Sequence, residues 1–229
     1  KAIQKIKSSN LISYSIELNN LETGTAHIIG SSTNPEFIIN ENVAWDQIVL
    51  PPNISTYKSQ ALYFGTLSQR SKFNQHSLKR LFRLTHQYQM FDINLRKNYY
   101  STNTIEYGLN NARIVKMNKT EFNLIKELLN ISSYHQLLDN YDIETLLVTN
   151  ADKQVDVVNR NKALHVIPPK SNAKDTIGAG DAFFATFTVG IIKNLELEYI
   201  VAKSCEIASY ITERKGALID LPENLKYFE

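Results

Sequence analysis

Short apolar runs that alternate with longer amphipathic stretches constrain the fold of this chain more than any other feature. The strand-like runs are ALYFG (61–65), MFDIN (90–94), RIVKMN (113–118), TLLVT (145–149), QVDVV (154–158) and ALHVI (163–167). Helical stretches lie between several of them, for example near 71–87 and 120–129, and the C-terminal part is mostly helical. This alternation predicts an α/β fold with a mostly parallel central sheet that helices flank on both faces.

Two more β-rich runs precede the alternation and predict a small, peripheral β element. TAHIIG (25–30) and EFIIN (36–40) flank the turn-forming segment SSTNP (31–35), which is the pattern of a hairpin. Because an exposed strand can pair with the same strand of a second copy, this hairpin is a candidate surface for a homodimer.

Composition narrows the classes of partner. The chain has 229 residues, 43% of them hydrophobic, which is enough for one domain with a sizeable core. Its 25 Lys and Arg residues and 23 Asp and Glu residues give a net charge of +2, so we expect neither nucleic acid nor a membrane as partner. A single cysteine, Cys205, and the absence of zinc-ligand spacing favour a reducing compartment, and we expect the cytoplasm.

Polar residues follow three of the predicted strands at the point where each strand ends. In open α/β sheets a ligand usually binds beside the carboxyl ends of the strands. The polar residues at these ends are Asp92, Asn94 and Arg96, then Lys116, Asn118 and Glu121, and finally Thr149. Each of them alone is equally explained as a loop residue or a helix cap, but three such strand ends together indicate a site.

The segment AGDAFFATFTVGII (179–192) is apolar on nearly every face, which predicts a helix that is buried all round. The first N–H groups of a helix have no partner within the helix and carry a partial positive charge. Gly178 and Gly180 leave space for close approach, so the amides of Ala179, Gly180 and Asp181 can bind a phosphate oxygen.

Asp181 stands at this predicted helix start, where a carboxylate next to a phosphate is electrostatically unfavourable. A chemical reason for its presence is to accept the proton of a hydroxyl group that attacks the phosphorus. The alternative is structural, with Asp181 only compensating the helix dipole in the first turn. The patterns GxxxxGK[ST] and GxGxxG are absent from the sequence, which argues against a P-loop NTPase and a Rossmann domain.

The segment DTIGAGDAFFATF (175–187) resembles the C-terminal signature of the PfkB, or ribokinase-like, carbohydrate kinases. Further segments resemble other motifs of this family in the same order, namely ETGTAHIIG (22–30), FDINLR (91–96), KMNKTE (116–121) and ERKGA (213–217). The resemblance implies a ribokinase-like domain over 1–229, with lid strands near 24–42. It further implies transfer of the γ-phosphate of ATP to a sugar hydroxyl in the presence of Mg²⁺.

The resemblance also assigns roles to individual residues. Asp181 would be the catalytic base, and Gly178, Ala179 and Gly180 would form the anion hole. Asn118 and Glu121 would hold the phosphates and a hydrated Mg²⁺, while Asn94 and Arg96 would face the sugar and the transferred phosphate. The remaining nucleotide-binding residues would be Lys116, Thr149, Cys205 and Gly216.

Members of the family often bind K⁺ beside the anion hole, mostly through backbone carbonyls. The corresponding positions in this chain are Asp175, Ile177, Ile211, Arg214 and Gly216, with Asp220 where a small neutral residue is common. A carboxylate at Asp220 either strengthens the cation site or, paired with a basic neighbour, replaces the cation. We expect activation by K⁺.

Two departures from the family pattern qualify this prediction. VTNADKQ (148–154) has no glycine in the turn that usually touches the nucleotide, and the sugar-gripping N-terminal segment of the family has no counterpart before Lys1. We therefore expect an N-terminally incomplete kinase domain that, beginning at Lys1, phosphorylates its sugar poorly or not at all.

FDINLR (91–96) favours a fructokinase. The alternatives are a family member that acts on 2-keto-3-deoxygluconate, ribose or a nucleoside, and a non-catalytic regulator on the same fold that binds sugar or nucleotide.

Overall fold

The structure is a computed structural model that describes residues 18–31, 34–84, 87–96, 99–216, 218–226 and 228. A helix that the sequence suggests at Lys1 lies outside these residues. The described part contains a six-stranded sheet and a separate two-stranded sheet. The central sheet consists of β3 (Ala61–Gly65), β4 (Tyr88–Asp92), β5 (Ile114–Asn118), β6 (Thr145–Asn150), β7 (Gln154–Val158) and β8 (Ala163–Val166).

The strands of the central sheet lie side by side in chain order, from β3 to β8. The pairs from β3 to β6 are parallel, while β7 and β8 continue the sheet as an antiparallel meander. The prediction of a mostly parallel sheet is confirmed. The turn 151–153 between β6 and β7 is too short for a crossover helix, and this forces the antiparallel pairing.

Helices follow most of the strands and begin at the capping residues that their sequences provide. Ser71, Ser101, Asn118 and Ser133 each accept a hydrogen bond from a backbone N–H in the first turn of the following helix. The helices are α1 (Lys72–Phe82), α2 (Thr102–Leu109), α3 (Lys119–Leu129), α4 (Tyr134–Tyr141), α5 (Ala179–Ile192), α6 (Leu197–Thr212) and α7 (Glu223–Lys226). The helix α4 was not predicted from the sequence.

Because side chains alternate along each strand, they pack into two hydrophobic cores, one on each face of the sheet. Phe91 and Val115 point to the core that α1 to α4 cover. Their chain neighbours Met90 and Ile114 point to the core that α5 and α6 cover. Because Asp92 follows Phe91 at the end of β4, its side chain returns to the face where α5 begins.

The two-stranded sheet pairs β1 (Ala26–Ser31) with β2 (Asn34–Ile39) in antiparallel register, as predicted, and we call it the lid hairpin. Ile28, Ile29 and Ile38 of this hairpin are about half exposed; by the strand alternation Ile29 and Ile38 lie on one face and Ile28 on the other. The hydroxyl of Tyr99 donates a hydrogen bond to the carbonyl of Ile39 at 2.8 Å, so the lid hairpin is attached to the loop that follows β4.

The prediction that the helix at 179–192 is buried all round was wrong for one stripe. Asp181, Ala185 and Val189 are exposed, and their spacing of four residues places them on one side of α5. Phe183, Phe184 and Phe187 fill the core beneath the sheet, as expected for so apolar a helix. No helix in the described part of the chain is long and apolar enough to cross a lipid bilayer.

Candidate active site

The N-terminus of α5 forms one wall of the site. Gly178 caps the helix with a left-handed backbone conformation, φ 84°, which an L residue rarely adopts. In the described part of the chain, the backbone N–H groups of Gly180 and Asp181 have no hydrogen-bond acceptor, whereas that of Ala179 donates to the carbonyl of Thr176 at 3.3 Å. The first turn thus presents unpaired donors and the positive end of the helix dipole.

A buried ion pair lies directly beneath this helix start. The ammonium of Lys116 is 3.1 Å from Oδ1 of Asp92, and a Cβ at Gly180 would lie only 3.0 Å from the same ammonium. The hydroxyl of Tyr63 donates to Oδ2 of Asp92 at 2.9 Å. Any side chain at position 180 would therefore displace a lysine that is fixed by its partner.

Electrostatics connects this ion pair with Asp181. Burial raises the pKa of Asp92. The charge and hydrogen bond of Lys116 and the hydrogen bond of Tyr63 act to lower it, whereas the charge of Asp181 acts to raise it. Burial likewise raises the pKa of Tyr63, with the charges of Asp92 and Asp181 adding to the effect. The exposed carboxylate of Asp181 therefore lies close enough to interact with the cluster, although the sequence alone did not predict this neighbourhood.

Asn118 and Glu121 form a reciprocal capping box at the start of α3. The side chain of Asn118 accepts from the N–H of Glu121 at 2.8 Å, and Oε2 of Glu121 accepts from the N–H of Asn118 at 2.7 Å. Oε1 of Glu121 accepts from the N–H of Leu95 at 2.8 Å and so holds the loop after β4. Burial raises the pKa of Glu121, and the two backbone donors partly counteract this.

These contacts test whether the residues fit a magnesium ion. Each carboxylate oxygen of Glu121 already accepts one backbone hydrogen bond, which leaves its remaining lone pairs for water molecules. Within the described residues, no three His, Cys, Asp or Glu side chains are grouped closely enough to bind a metal ion by themselves. The donor set fits Mg²⁺ that is held through its own waters and through bound phosphates.

Asn94 and Arg96 lie on the loop between β4 and α2. Asn94 adopts φ 38°, and this turns the chain sharply after the strand. The guanidinium of Arg96 lies 4.8 Å from the ring centroid of Phe37 in the lid hairpin. This loop therefore connects the strand ends with the lid, at the place where the sequence predicts sugar contacts.

A cavity of about 610 Å³ opens between the starts of α3 and α5 and the turn after β6. Its lining includes the predicted residues Asn118, Thr149, Ala179, Gly180 and Cys205. The predicted catalytic and nucleotide-binding residues that do not line the cavity are Lys116, Glu121, Gly178, Asp181 and Gly216. Sequence reasoning did not identify the further lining residues Lys119, Thr120, Asn150, Ala151, Asp152, Val155, Pro168, Ser171, Ala173, Thr176, Phe183, Ala208, Ser209 and Thr212.

The residues considered for K⁺ join the loop 175–181 to the end of α6. The carboxylate of Asp175 accepts from the N–H groups of Ile177 at 3.0 Å and Gly216 at 2.9 Å. The carbonyl of Ile211 accepts from the N–H of Arg214 at 3.1 Å, and Asp220 is exposed. Asp175 is thus engaged in tying two loops together, and carbonyl lone pairs remain for a cation.

Comparison with known proteins shows to which family the chain belongs. The profile of the pfkB family carbohydrate kinases matches residues 1–224 of the chain. The chain belongs to the PfkB family. A nucleoside kinase of Methanocaldococcus jannaschii is 28% identical over 126 residues, and an Escherichia coli fructokinase is 28% identical over 144 residues. These matches cover 54% and 58% of this chain.

A solved structure of a similar protein confirms the expected fold. The fructokinase from Xylella fastidiosa with bound ATP superimposes with a TM-score of 0.81 at 16% identity, covering 93% of this chain and 75% of that one. The chain spans 40% and 47% of the lengths of the nucleoside kinase and the Escherichia coli fructokinase. Activity and substrate are therefore matters for proposal.

Proposed function

We propose that this protein transfers the γ-phosphate of ATP to a hydroxyl group of a small sugar, with Asp181 as the general base. One observation carries the proposal. The N–H groups of Gly180 and Asp181 are unpaired, Gly180 lines a cavity of suitable size, and the exposed carboxylate of Asp181 belongs to the same helical turn.

In the proposed reaction the hydroxyl oxygen of the acceptor attacks the γ-phosphorus. The bond from phosphorus to the oxygen that bridges the β- and γ-phosphates breaks, and ADP leaves. Asp181 accepts the proton of the hydroxyl group. The unpaired N–H groups of Gly180 and Asp181, with the ammonium of Lys116 beneath them, stabilise the negative charge of the transferring group.

Mg²⁺ would be held through water near Asn118 and Glu121, where it would neutralise part of the phosphate charge. Glu121 has a second task in this proposal. By accepting from the N–H groups of Leu95 and Asn118, it aligns the ends of β4 and β5 relative to each other. Asn94 and Arg96, on the loop that Glu121 holds, would then bind the sugar and the phosphate.

K⁺ is the second metal ion of the proposal. A cation near Asp175 and the carbonyl of Ile211 would order the loop 175–181 and hence the anion hole. Equal initial rates in KCl and in the chloride of a large organic cation would exclude this role. Dependence on K⁺ that appears only in Asp220→Ser would show that the carboxylate replaces the cation.

We propose fructose as the acceptor because FDINLR is of the fructokinase type. Ribose, 2-keto-3-deoxygluconate and nucleosides are the alternative acceptors, since the fructokinase and nucleoside kinase relatives are equally similar to the chain. The test is ADP formation by the full-length protein with each of these compounds. Fructose should give the highest kcat/KM, and a higher value for a nucleoside would reassign the acceptor.

A non-catalytic regulator is the second candidate function. It is favoured by the turn after β6, where Ala151 adopts φ 48° without the flexibility of glycine. A protein of this kind would bind ATP or sugar without releasing ADP. Measuring ATP binding alongside ADP formation separates the two candidates.

The cellular setting is also a proposal. The free thiol of Cys205 is compatible with a reducing compartment, and we propose the cytoplasm. The exposed isoleucines of the lid hairpin suit a homodimer in which two hairpins pack together. A sedimentation measurement that finds only monomer at micromolar concentration would contradict the dimer.

A further inference from the structure

Lys119 lines the cavity from the first turn of α3, next to Asn118. Its ammonium donates a hydrogen bond to the hydroxyl of Tyr134 at 2.8 Å. It also lies 5.4 Å from the ring centroid of Phe122 and 5.0 Å from that of Tyr134. Two aromatic faces and one hydrogen bond thus fix a side chain that is usually flexible.

Tyr134 is itself held by a buried carboxylate. Its hydroxyl donates to Oδ2 of Asp156 at 2.9 Å, and Oδ1 of Asp156 contacts Nδ1 of His165 at 2.7 Å. Gln154 donates to the same oxygen of Asp156. Because the tyrosine proton points to Asp156, the lone pairs of its oxygen face Lys119, and a hydrogen-bond chain of this kind strengthens each of its members.

The ammonium of Lys119 has no anionic partner in the described part of the chain. Of its three N–H donors, one is accounted for by Tyr134, which leaves two for a ligand. Among the described residues that line the cavity, Lys119 is the one cation and Asp152 is the one carboxylate. No ion pair joins these two side chains, although both border the same cavity.

The position of Lys119 indicates which ligand group it would contact. The cavity extends from the first turn of α3 to the first turn of α5, where Ala179 and Gly180 line it. Lys119 and the proposed anion hole therefore stand on two walls of one cavity. A chain of phosphates is a ligand that can reach both, and a lysine ammonium is a suitable point charge for it.

We propose that Lys119 binds the phosphate chain of the nucleotide, and that Tyr134 and Asp156 are positioning residues for its ammonium. This inference rests on the proposed function, because it assumes that the cavity receives a nucleoside triphosphate. It adds a phosphate contact at the start of α3, apart from the proposed anion hole at the start of α5. The Lys119 contact also gives the network of Tyr134, Asp156 and His165 a role in nucleotide binding.

The test compares the binding of ATP, ADP and adenosine by calorimetry, without sugar, so that turnover does not enter. Lys119→Met should weaken the binding of ATP and ADP about 10-fold or more, because a hydrogen bond to a charged group is lost. The affinity for adenosine should be unchanged. Lys126→Met is the matched control. Lys126 lies on the same helix, 6.0 Å from the Phe122 ring centroid, but does not line the cavity.

Two further variants separate positioning from folding. Tyr134→Phe keeps the ring but removes the hydroxyl that accepts the hydrogen bond from Lys119. It should weaken the binding of ATP several-fold and leave the binding of adenosine unchanged. This loss should appear only while Lys119 is present. Lys119→Arg should restore most of the affinity for ATP. An unchanged ratio of ATP to adenosine affinity in Lys119→Met, or an equal loss of both ligands, would overturn the inference. Failure of the wild-type protein to bind ATP would instead overturn the proposed function, and the inference with it.

Discussion

The ammonium of Lys116 lies 3.1 Å from Oδ1 of Asp92, and both side chains are more than nine-tenths buried. Asp92 ends β4, and Lys116 lies directly opposite it on the neighbouring parallel strand β5. Together they place a positive charge beneath Gly180, at the start of α5. The relationship connects the sheet with the helix whose first turn forms the proposed anion hole.

Removing one partner of this ion pair should destabilise the protein. Lys116→Met leaves a buried, unpaired carboxylate, and we expect a loss of about 3–5 kcal/mol in the free energy of unfolding. The double variant Lys116→Met with Asp92→Asn removes both charges and should be more stable than Lys116→Met alone. Urea unfolding at neutral pH measures both. A loss below about 1 kcal/mol for Lys116→Met would contradict the tight pairing.

Acid should weaken a second ion pair, at the base of the lid hairpin. Oδ1 and Oδ2 of Asp46 accept from Nε and Nη2 of Arg70 at 2.7 and 2.8 Å. Burial acts to raise the pKa of Asp46, but the hydrogen bonds from Arg70 and from Val43, with the charge of Arg70, outweigh burial and lower it. A carboxyl whose pKa is lower in the folded state stabilises the protein above the unfolded pKa of about 4, and this contribution is lost as the pH falls through the folded value.

Asp46→Asn should therefore reduce the free energy of unfolding at pH 7, and the deficit should shrink at about pH 3. Asp142→Asn is a suitable control, because the Asp142 side chain is 72% exposed and its pair with Arg160 lies in solvent. Chemical unfolding at the two pH values gives the comparison. A deficit for Asp46→Asn that is the same at both pH values would show that charge is not its cause.

Much of the fold follows from local patterns in the sequence. β3 occupies the predicted residues, Ala61–Gly65, because alternating apolar side chains and a flanking glycine define it locally. The helix α4 (Tyr134–Tyr141) was missed because it is short and its apolar positions are few. Similarly, Ser171, Ser209 and Thr212 line the cavity from segments whose meeting depends on the docking of α6, which no local pattern encodes.

The site shows the same division between local and tertiary information. Asn118 and Glu121 were identifiable because a capping box is local, with a fixed spacing of three residues. The contact of Lys116 with Gly180 and the chain from Lys119 to Asp156 join residues that are distant in sequence. Such contacts are set by tertiary packing.

Glu121→Gln should raise the Mg²⁺ concentration needed for half-maximal ADP formation. The amide nitrogen of Gln would face a backbone N–H of Leu95 or Asn118, so one hydrogen bond is lost and the strand ends shift. Glu127→Gln, at an exposed position of the same helix, is the control. If the half-maximal Mg²⁺ concentration of Glu121→Gln is unchanged, Asn118 and Glu121 do not help to hold the metal.

Cys205 should react slowly with thiol reagents, and ATP should slow it further. The side chain lines the cavity and is 2% exposed, and burial raises its pKa to about 11, so little thiolate is present at neutral pH. As the only cysteine in the chain, it accounts for the whole signal in a chromogenic thiol assay. Equal rates with and without ATP would place Cys205 in the core, outside contact with the nucleotide.

The most direct test of the central claim is the rate of ADP formation by Asp181→Asn in the full-length protein, measured together with its affinity for ATP. The amide is nearly isosteric and leaves the backbone N–H groups of the anion hole in place. We therefore expect phosphoryl transfer to fall by about 10²–10⁴-fold while ATP still binds. A variant that keeps more than about a tenth of the wild-type rate would contradict the account, because the general base would then have to be another residue.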